Sequence, residues 1–348
     1  MNILHLHTGL NLTDGISKTI YLIAGNKSEK NKHFVIALDG DAESKFTEAG
    51  ITVNFLNLKK DYLPGVIKSV KNYIRENDIR ILHSHHRYFD LISYLVSFSC
   101  KVKRITSVQS FVYGKKFFSY KSPLLLAAGE SVKKHLIEYF GVNENRIKVF
   151  NNFIDAEEIP KNDNSENLKA KLKIPQNAYL IGYIGRFSVK EKGIDILINA
   201  FKSFNEKHPD AYLLMIGGGD DIKYFSNLPE NVIILSSQKN IFDFYRIFYC
   251  LVLPSRVDPF PLTVLEAGMM EVPFIGSDVN GISEIIEDGK DGLLFEKENI
   301  SMLLQKMEKY YNEKEFAKTC AQNLYKKVVS KYNVKSALEI LNKIYEEL

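Results

Sequence analysis

Along the first half of the chain, short runs of four to six mostly apolar residues alternate with stretches whose apolar positions recur at helical spacing. The runs at 3–6, 34–38, 53–56, 79–83, 105–108, 124–128 and 147–150 are rich in β-branched and large apolar types, as strands buried on both faces are. Between them, 64–76 places Val66, Ile67, Val70, Tyr73 and Ile74 on one helical face, and 131–140 starts on a serine and has Gly141 just past its end. Strand, helix and strand repeated in this way predict a parallel sheet covered on both sides. The second half restarts the pattern: 179–184, 212–216, 232–235, 250–253 and 273–276 read as strands, and Ile194, Leu197, Ile198 and Phe201 mark a helical face. The expectation is an α/β protein of two tandem Rossmann-like, doubly wound domains, 1–157 and 158–335. The polar stretch 155–165 reads as the linker. A last amphipathic helix, 336–348, has no strand after it and is free to cap either domain.

Length and composition agree with this reading. The 348 residues, 45% hydrophobic and 25% charged, suit two globular domains of about 150 residues each. No apolar run approaches the ~18 residues that cross a bilayer, and the N-terminus enters a strand directly. Three scattered cysteines, Cys100, Cys250 and Cys320, suggest neither a disulfide framework nor a zinc cluster, so a cytoplasmic location is expected. The net charge of +4 is unevenly spread. Residues 1–157 hold 22 Lys and Arg against 15 Asp and Glu, and seven of the eight histidines, while the remainder holds 24 against 27. The front half is therefore the part suited to an anionic partner, or simply carries a solvated basic face.

Doubly wound sheets bind ligands at the carboxyl ends of their strands, and two loops there stand out. After 179–184 come Gly185 and Arg186, then Lys192 and Gly193 opening a helix, which bring two cations to a helix N-terminus where a phosphate can sit. After 250–253 come Pro254-Ser255, then Asp258-Pro259-Phe260-Pro261, then a helix carrying Glu266 two turns in. Carboxylates are poor neighbours for a diphosphate, so Asp258 and Glu266 suit sugar and ribose hydroxyls.

Taken in order, Gly185-Arg186, Lys192-Gly193, Gly217-Gly218-Gly219, Pro254-Ser255, Asp258-Pro259-Phe260-Pro261, Leu265-Glu266-Ala267, Pro273 and Gly281-Ile282-Ser283-Glu284, with Asp288-Gly289 and Gly292, resemble the donor-binding half of family 4 retaining glycosyltransferases of the GT-B fold. The match is strong over about residues 180–295. It is fainter in the front half, where Asp14-Gly15-Ile16-Ser17 resembles the family's glycine loop.

The resemblance implies a nucleoside diphosphate sugar donor, UDP-linked by preference, and a carbohydrate or lipid-linked acceptor, with two domains facing across a cleft. Arg186 and Lys192 would neutralise the diphosphate and Asp258 would hold the donor sugar. Glu266 would hold the ribose, the amides of Phe260, Leu262 and Thr263 would meet the phosphates, Gly15 and Gly185 would line the donor, and the base would lie beside Gln238 and Ile241. Two positions depart from the family: Asp258 stands where glutamate is usual, and Gln109 where a histidine is often found. Gln109 can orient a group but cannot titrate near neutrality.

His83-Ser84-His85-His86-Arg87 ends a strand of the front half, and His85, His86 and Arg87 are read as acceptor-side groups, with strand-end structural histidines the alternative. As a metal site the run lacks suitable spacing, because successive residues diverge. Asp39-Gly40-Asp41 reads as a turn with a helix cap. No metal and no cofactor is expected. Lysines interleaved with aromatics at 101–104 and 115–121 suit a peripheral membrane contact or a solvated loop; no nucleic-acid recognition motif accompanies them. The rival readings are a nucleotide-sugar epimerase or hydrolase on the same plan, and a non-catalytic partner subunit.

Overall fold

The computed structural model describes residues 1–11, 14–26, 30–56, 63–224 and 228–348. The chain divides into one unit of Met1–Asn152 with Val334–Leu348 and a second of Phe153–Asn333. Each is organised by one parallel sheet.

In the first unit the strands are β1 (Asn2–Leu6), β2 (Lys32–Ala37), β3 (Thr52–Phe55), β4 (Ile81–Ser84), β5 (Lys103–Val108), β6 (Leu124–Ala127) and β7 (Ile147–Val149), in the order β3-β2-β1-β4-β5-β6-β7. The order reverses between β1 and β4. Side chains alternate across a strand, and one face of this sheet is conventional: Leu4, Leu6, Phe34, Ile36 and Leu82 join Val66, Val70 and Ile74 of helix Leu63–Glu76 and Phe89, Ile92 and Val96 of helix Arg87–Ser97 in one apolar cluster. The opposite face carries His5 and His83, which sit side by side in register. Helix Val334–Glu347 belongs to this unit and lends Tyr345 to that face, its hydroxyl 2.6 Å from His83 Nδ1. Its apolar stripe of Leu338, Leu341, Ile344 and Tyr345 is buried, at about 1.5–3 kcal/mol for each large side chain.

The second unit repeats the plan with β8 (Tyr179–Ile184), β9 (Ala211–Ile216), β10 (Val232–Leu235), β11 (Cys250–Leu253), β12 (Phe274–Ser277) and β13 (Leu293–Phe295), in the order β10-β9-β8-β11-β12-β13. Helix Ile194–Lys207 buries Ile194, Leu197, Ile198 and Phe201, the face expected from their spacing.

One local expectation is corrected. Asp39-Gly40 is a two-residue strand paired with Gly9–Leu10, and the next helix, Glu43–Glu48, starts at Ala42 with no side-chain cap. The backbone there is held by the ladder, so neither aspartate is needed as a cap. The three cysteines are buried and unpaired. Among the described residues, no helix is long and apolar enough to cross a membrane.

Candidate functional site

In the second unit the strand order reverses between β8 and β11, so the loops leaving these two strands emerge side by side. The first loop forms a short helix, Val189–Lys192, capped by the Ser188 hydroxyl and ended by Gly193 at φ 59°. A side chain is excluded at Gly193 twice over, since its conformation is left-handed and a Cβ would lie 2.1 Å from the Pro254 carbonyl oxygen of the second loop. The two backbones touch at this point.

Arg256 locks them together. Its amide donates to the Glu191 carbonyl at 2.7 Å, as does the Val257 amide at 3.2 Å. Its guanidinium donates to both Asp195 oxygens at 2.7 and 2.8 Å and to both Glu298 oxygens at 2.6 and 2.7 Å. These carboxylates hold the guanidinium pKa above its ordinary value.

Within this frame Lys192 Nζ donates to Asp258 Oδ2 at 2.5 Å, and the Ser255 hydroxyl donates to the same oxygen at 3.2 Å. The Asp258 carboxylate is 3% exposed, while Lys192 keeps 20% of its side chain accessible. The Asp258 carbonyl accepts from the Gly281 amide at 3.0 Å, and a Cβ on Gly281 would lie 2.1 Å from the Pro259 carbonyl. A desolvated ion pair adds little net stability. Its consequence is positional: an ammonium with three donors is fixed at the mouth of two loops.

Helix Leu262–Met269 follows directly. Pro261 precedes it with no side-chain cap, and no acidic residue lies in its first turn, so its positive end carries no countercharge of its own. Glu266, buried on this helix, accepts from the Tyr245 hydroxyl at 2.9 Å. Burial and the adjacent Glu266 carboxylate hold the Tyr245 pKa far above the usual phenol value, so the phenol stays a donor. Phe260 is buried with its ring 5.5 Å from that of Tyr332, and Leu262 and Thr263 open the helix.

Arg186 has a different partner from Lys192. It ion-pairs with Glu191, in its own loop and five residues on, and its side chain is 61% exposed. Its carbonyl accepts from the Tyr183 hydroxyl at 2.7 Å. Gly185 follows β8 at φ 158°, with its carbonyl only 1.8 Å from where a Cβ on Gly217 would lie. Gln238 donates to the Ser236 carbonyl at 2.8 Å, and Ile241 precedes helix Phe242–Tyr245. Sequence reasoning passed over Arg256 and Tyr245, which carry no motif of their own.

In the first unit Gly15 opens helix Gly15–Gly25, whose cap is Asp14. Gln109 donates to Asn152 Oδ1 at 2.7 Å, while its own Oε1 is buried with no hydrogen-bond partner among the described residues. His86 caps helix Arg87–Ser97, and Arg87 donates to the Tyr113 and Gly114 carbonyls at 3.0 and 3.3 Å. His85 is corrected, being 3% exposed and facing inward.

His85 Nε2 lies 3.0 Å from His5 Nδ1, His5 Nε2 lies 2.9 Å from His33 Nδ1, and His83 Nε2 lies 2.8 Å from the Ser107 hydroxyl. His83 and His85, two apart, thus share a strand face and meet, whereas His86, next along the run, turns away to cap helix Arg87–Ser97. Burial is the main cause lowering these pKa values, to about 3 for His83 and about 4 for His33, and well below the ordinary value for His5 and His85. Among the described residues, His5, His83 and His85 are a group whose ligand atoms lie within 4.8 Å of one another, as a metal site requires. Both nitrogens of His5 and both of His83 already face polar partners, and the His83 and His85 rings stack at 4.2 Å, so the arrangement is a hydrogen-bonded layer of neutral imidazoles.

Two family models match the chain in succession: "Glycosyltransferase Family 4" over residues 14–158 and "Glycosyl transferases group 1" over residues 164–327. The chain is 27% identical over 297 residues to the capsular polysaccharide biosynthesis glycosyltransferase CapM of Staphylococcus aureus, covering 81% of this chain and 73% of that protein. It is 24% identical over 226 residues to the UDP-Gal:alpha-D-GlcNAc-diphosphoundecaprenol alpha-1,3-galactosyltransferase of Escherichia coli, covering 62% of this chain and 58% of that one. The crystal structure of Anabaena Alr3699/HepE in complex with UDP-glucose superposes with a TM-score of 0.88 at 16% identity, covering all of both chains.

Proposed function

Since the chain is a GT-B glycosyltransferase of the family 4 type, we propose that it transfers a sugar from a UDP-sugar to an acceptor hydroxyl with retention of anomeric configuration, in the cytoplasm, during surface polysaccharide or glycolipid assembly. The observation that carries this reading is the Lys192–Asp258 pair at the switch point of the second unit, beside a helix N-terminus without a cap. The UDP and UDP-glucose complexes of HepE support the donor. The names of CapM and of the Escherichia coli transferase support a polysaccharide or lipid-linked acceptor.

In this reading the phosphates dock on the first amides of helix Leu262–Met269, and Lys192 meets the charge that grows on the leaving diphosphate as the glycosidic bond breaks. Arg186 joins by exchanging Glu191 for phosphate oxygens. An exposed ion pair is worth only about 0.2–1 kcal/mol, so the exchange is easy. Together these cations and the helix end supply the charge that a divalent ion would otherwise carry. Asp258 holds sugar hydroxyls, and Glu266, oriented by Tyr245, holds the ribose. Retention follows from attack on the face the diphosphate leaves, where the phosphate itself accepts the acceptor's proton, with no enzyme carboxylate as nucleophile.

The test is a UDP-release assay over a panel of UDP-sugars and lipid-linked or free sugar acceptors. Release that requires acceptor, and an anomeric proton coupling in the product matching the donor's, is the expected result. Equal release without acceptor would make the protein a hydrolase, and an inverted product would remove the front-face step.

A further inference from the structure

Four of the large hydrophobic side chains on this protein are more than half exposed at one region of the first unit: Phe117 at 77%, Phe98 at 71%, Tyr113 at 65% and Phe118 at 55%. The segment 91–129 that carries them has six cations, Lys101, Lys103, Arg104, Lys115, Lys116 and Lys121, and no carboxylate. Phe118, Phe117, Lys121, Arg104 and Phe98 are joined by a chain of contacts. The Phe117 and Phe118 rings touch at 5.2 Å, Lys121 Nζ lies 4.9 Å from the Phe117 ring, and Arg104 bridges from the Lys121 carbonyl to the Tyr94 ring, which packs on Phe98.

The loop that presents these rings is tied down. Arg87 donates to the carbonyls of Tyr113 and Gly114, the Tyr139 hydroxyl accepts from the Gly114 amide at 2.8 Å, and Asp90, fully buried, accepts from the Ser122 amide at 3.0 Å. The rings are thus held out by the structure, with their apolar surface exposed.

We propose that this face docks on an anionic lipid surface, with Phe117 and Phe118 entering the boundary between headgroups and acyl chains and the six cations lying at the headgroups. Charge selects this occupant. A second copy would meet the same patch across a twofold axis and set six cations against six, whereas an anionic bilayer offers both countercharge and an apolar layer at the depth of a phenyl ring. The inference rests on surface chemistry alone and stands whatever donor the second unit takes.

Co-sedimentation of the full chain with vesicles of phosphatidylcholine, with and without about one third phosphatidylglycerol, tests it. Binding to the anionic vesicles only is expected, weakened in 0.5 M salt, since each cation near such a surface is worth about fivefold in partition. Phe117→Ser with Phe118→Ser is expected to lower the partition about tenfold or more while leaving the melting temperature unchanged, as both rings are in solvent. Absence of binding to anionic vesicles, equal binding to neutral ones, or undiminished binding by the double variant would overturn the proposal. Self-association through the patch in sedimentation velocity, without vesicle binding, would also overturn it.

Discussion

Lys192→Ala is expected to lower turnover about 10²- to 10³-fold, the loss seen when one preorganised donor is taken from a charge that develops in the transition state. The expectation follows from where Nζ is held. Gly193 and Pro254 fix the loop, Arg256 ties it to its neighbour, and Asp258 aligns the ammonium. No reorganisation is needed when the leaving diphosphate gains charge.

A purely structural role for the pair predicts something different, and Asp258→Asn separates the two. If Lys192 only neutralised a buried carboxylate, losing either partner would damage the loop and UDP binding alike. In the present account Asp258→Asn keeps or strengthens UDP affinity, because a negative charge leaves the phosphate site, yet it loses turnover with the UDP-sugar because the sugar contact is gone. Steady-state UDP release and UDP affinity on both variants check this. Activity of Lys192→Ala within threefold of wild type would refute it.

The second large effect concerns acid. His5, His83 and His85 are buried and neutral in the folded first unit, their pKa values lowered chiefly by burial. In the unfolded chain a histidine titrates near 6.5. Between that value and the lower folded values the unfolded chain binds more protons, so stability falls as pH falls. The contribution is whole above about pH 6.5 and is lost progressively below it. At pH 5 the loss is about 2 kcal/mol for His83, whose folded value is about 3, and His5 and His85 add to it in the same direction, a sizeable share of the stability of an ordinary domain.

The layer faces Tyr345, Ser107 and the other histidines, and His7 beside it lies 3.6 Å from Asp14. The melting midpoint followed by circular dichroism is expected to drop by about 5 °C or more between pH 7.5 and pH 5. His5→Phe would flatten part of that slope. A midpoint unchanged over this range would show that the rings can hold charge where they are.

Much of the architecture was legible because parallel strands buried on both faces read as unbroken apolar runs. Residues 179–184, 232–235 and 250–253 coincide with β8, β10 and β11. Helix Lys314–Lys331 escaped notice because most of its positions are polar and its buried face is largely small: Ala317, Cys320, Ala321, Leu324 and Val328. The last helix read correctly as amphipathic, but its stripe could not say which sheet it covers; that depends on the fit of Tyr345 to His83.

At the site, strand order explains how Lys192 and Asp258, 66 residues apart, come into contact. The Arg186–Glu191 ion pair was a matter of competition between nearby acids, which spacing does not decide. Arg256 looks like any loop cation until Asp195 and Glu298 converge on it. The histidine layer did leave a signal, the alternation of His5 with His7 and of His83 with His85, since residues two apart on a strand share a face.

The most direct test of the donor site is a calorimetric titration of UDP and of UMP into the wild-type protein and Lys192→Ala. UDP is expected to bind the wild type at least about tenfold more tightly than UMP, the worth of one charge-assisted contact to the second phosphate, and this preference to collapse in Lys192→Ala while UMP affinity stays. Equal binding of the two nucleotides by the wild type, or a UDP preference that survives the loss of Lys192, would contradict it.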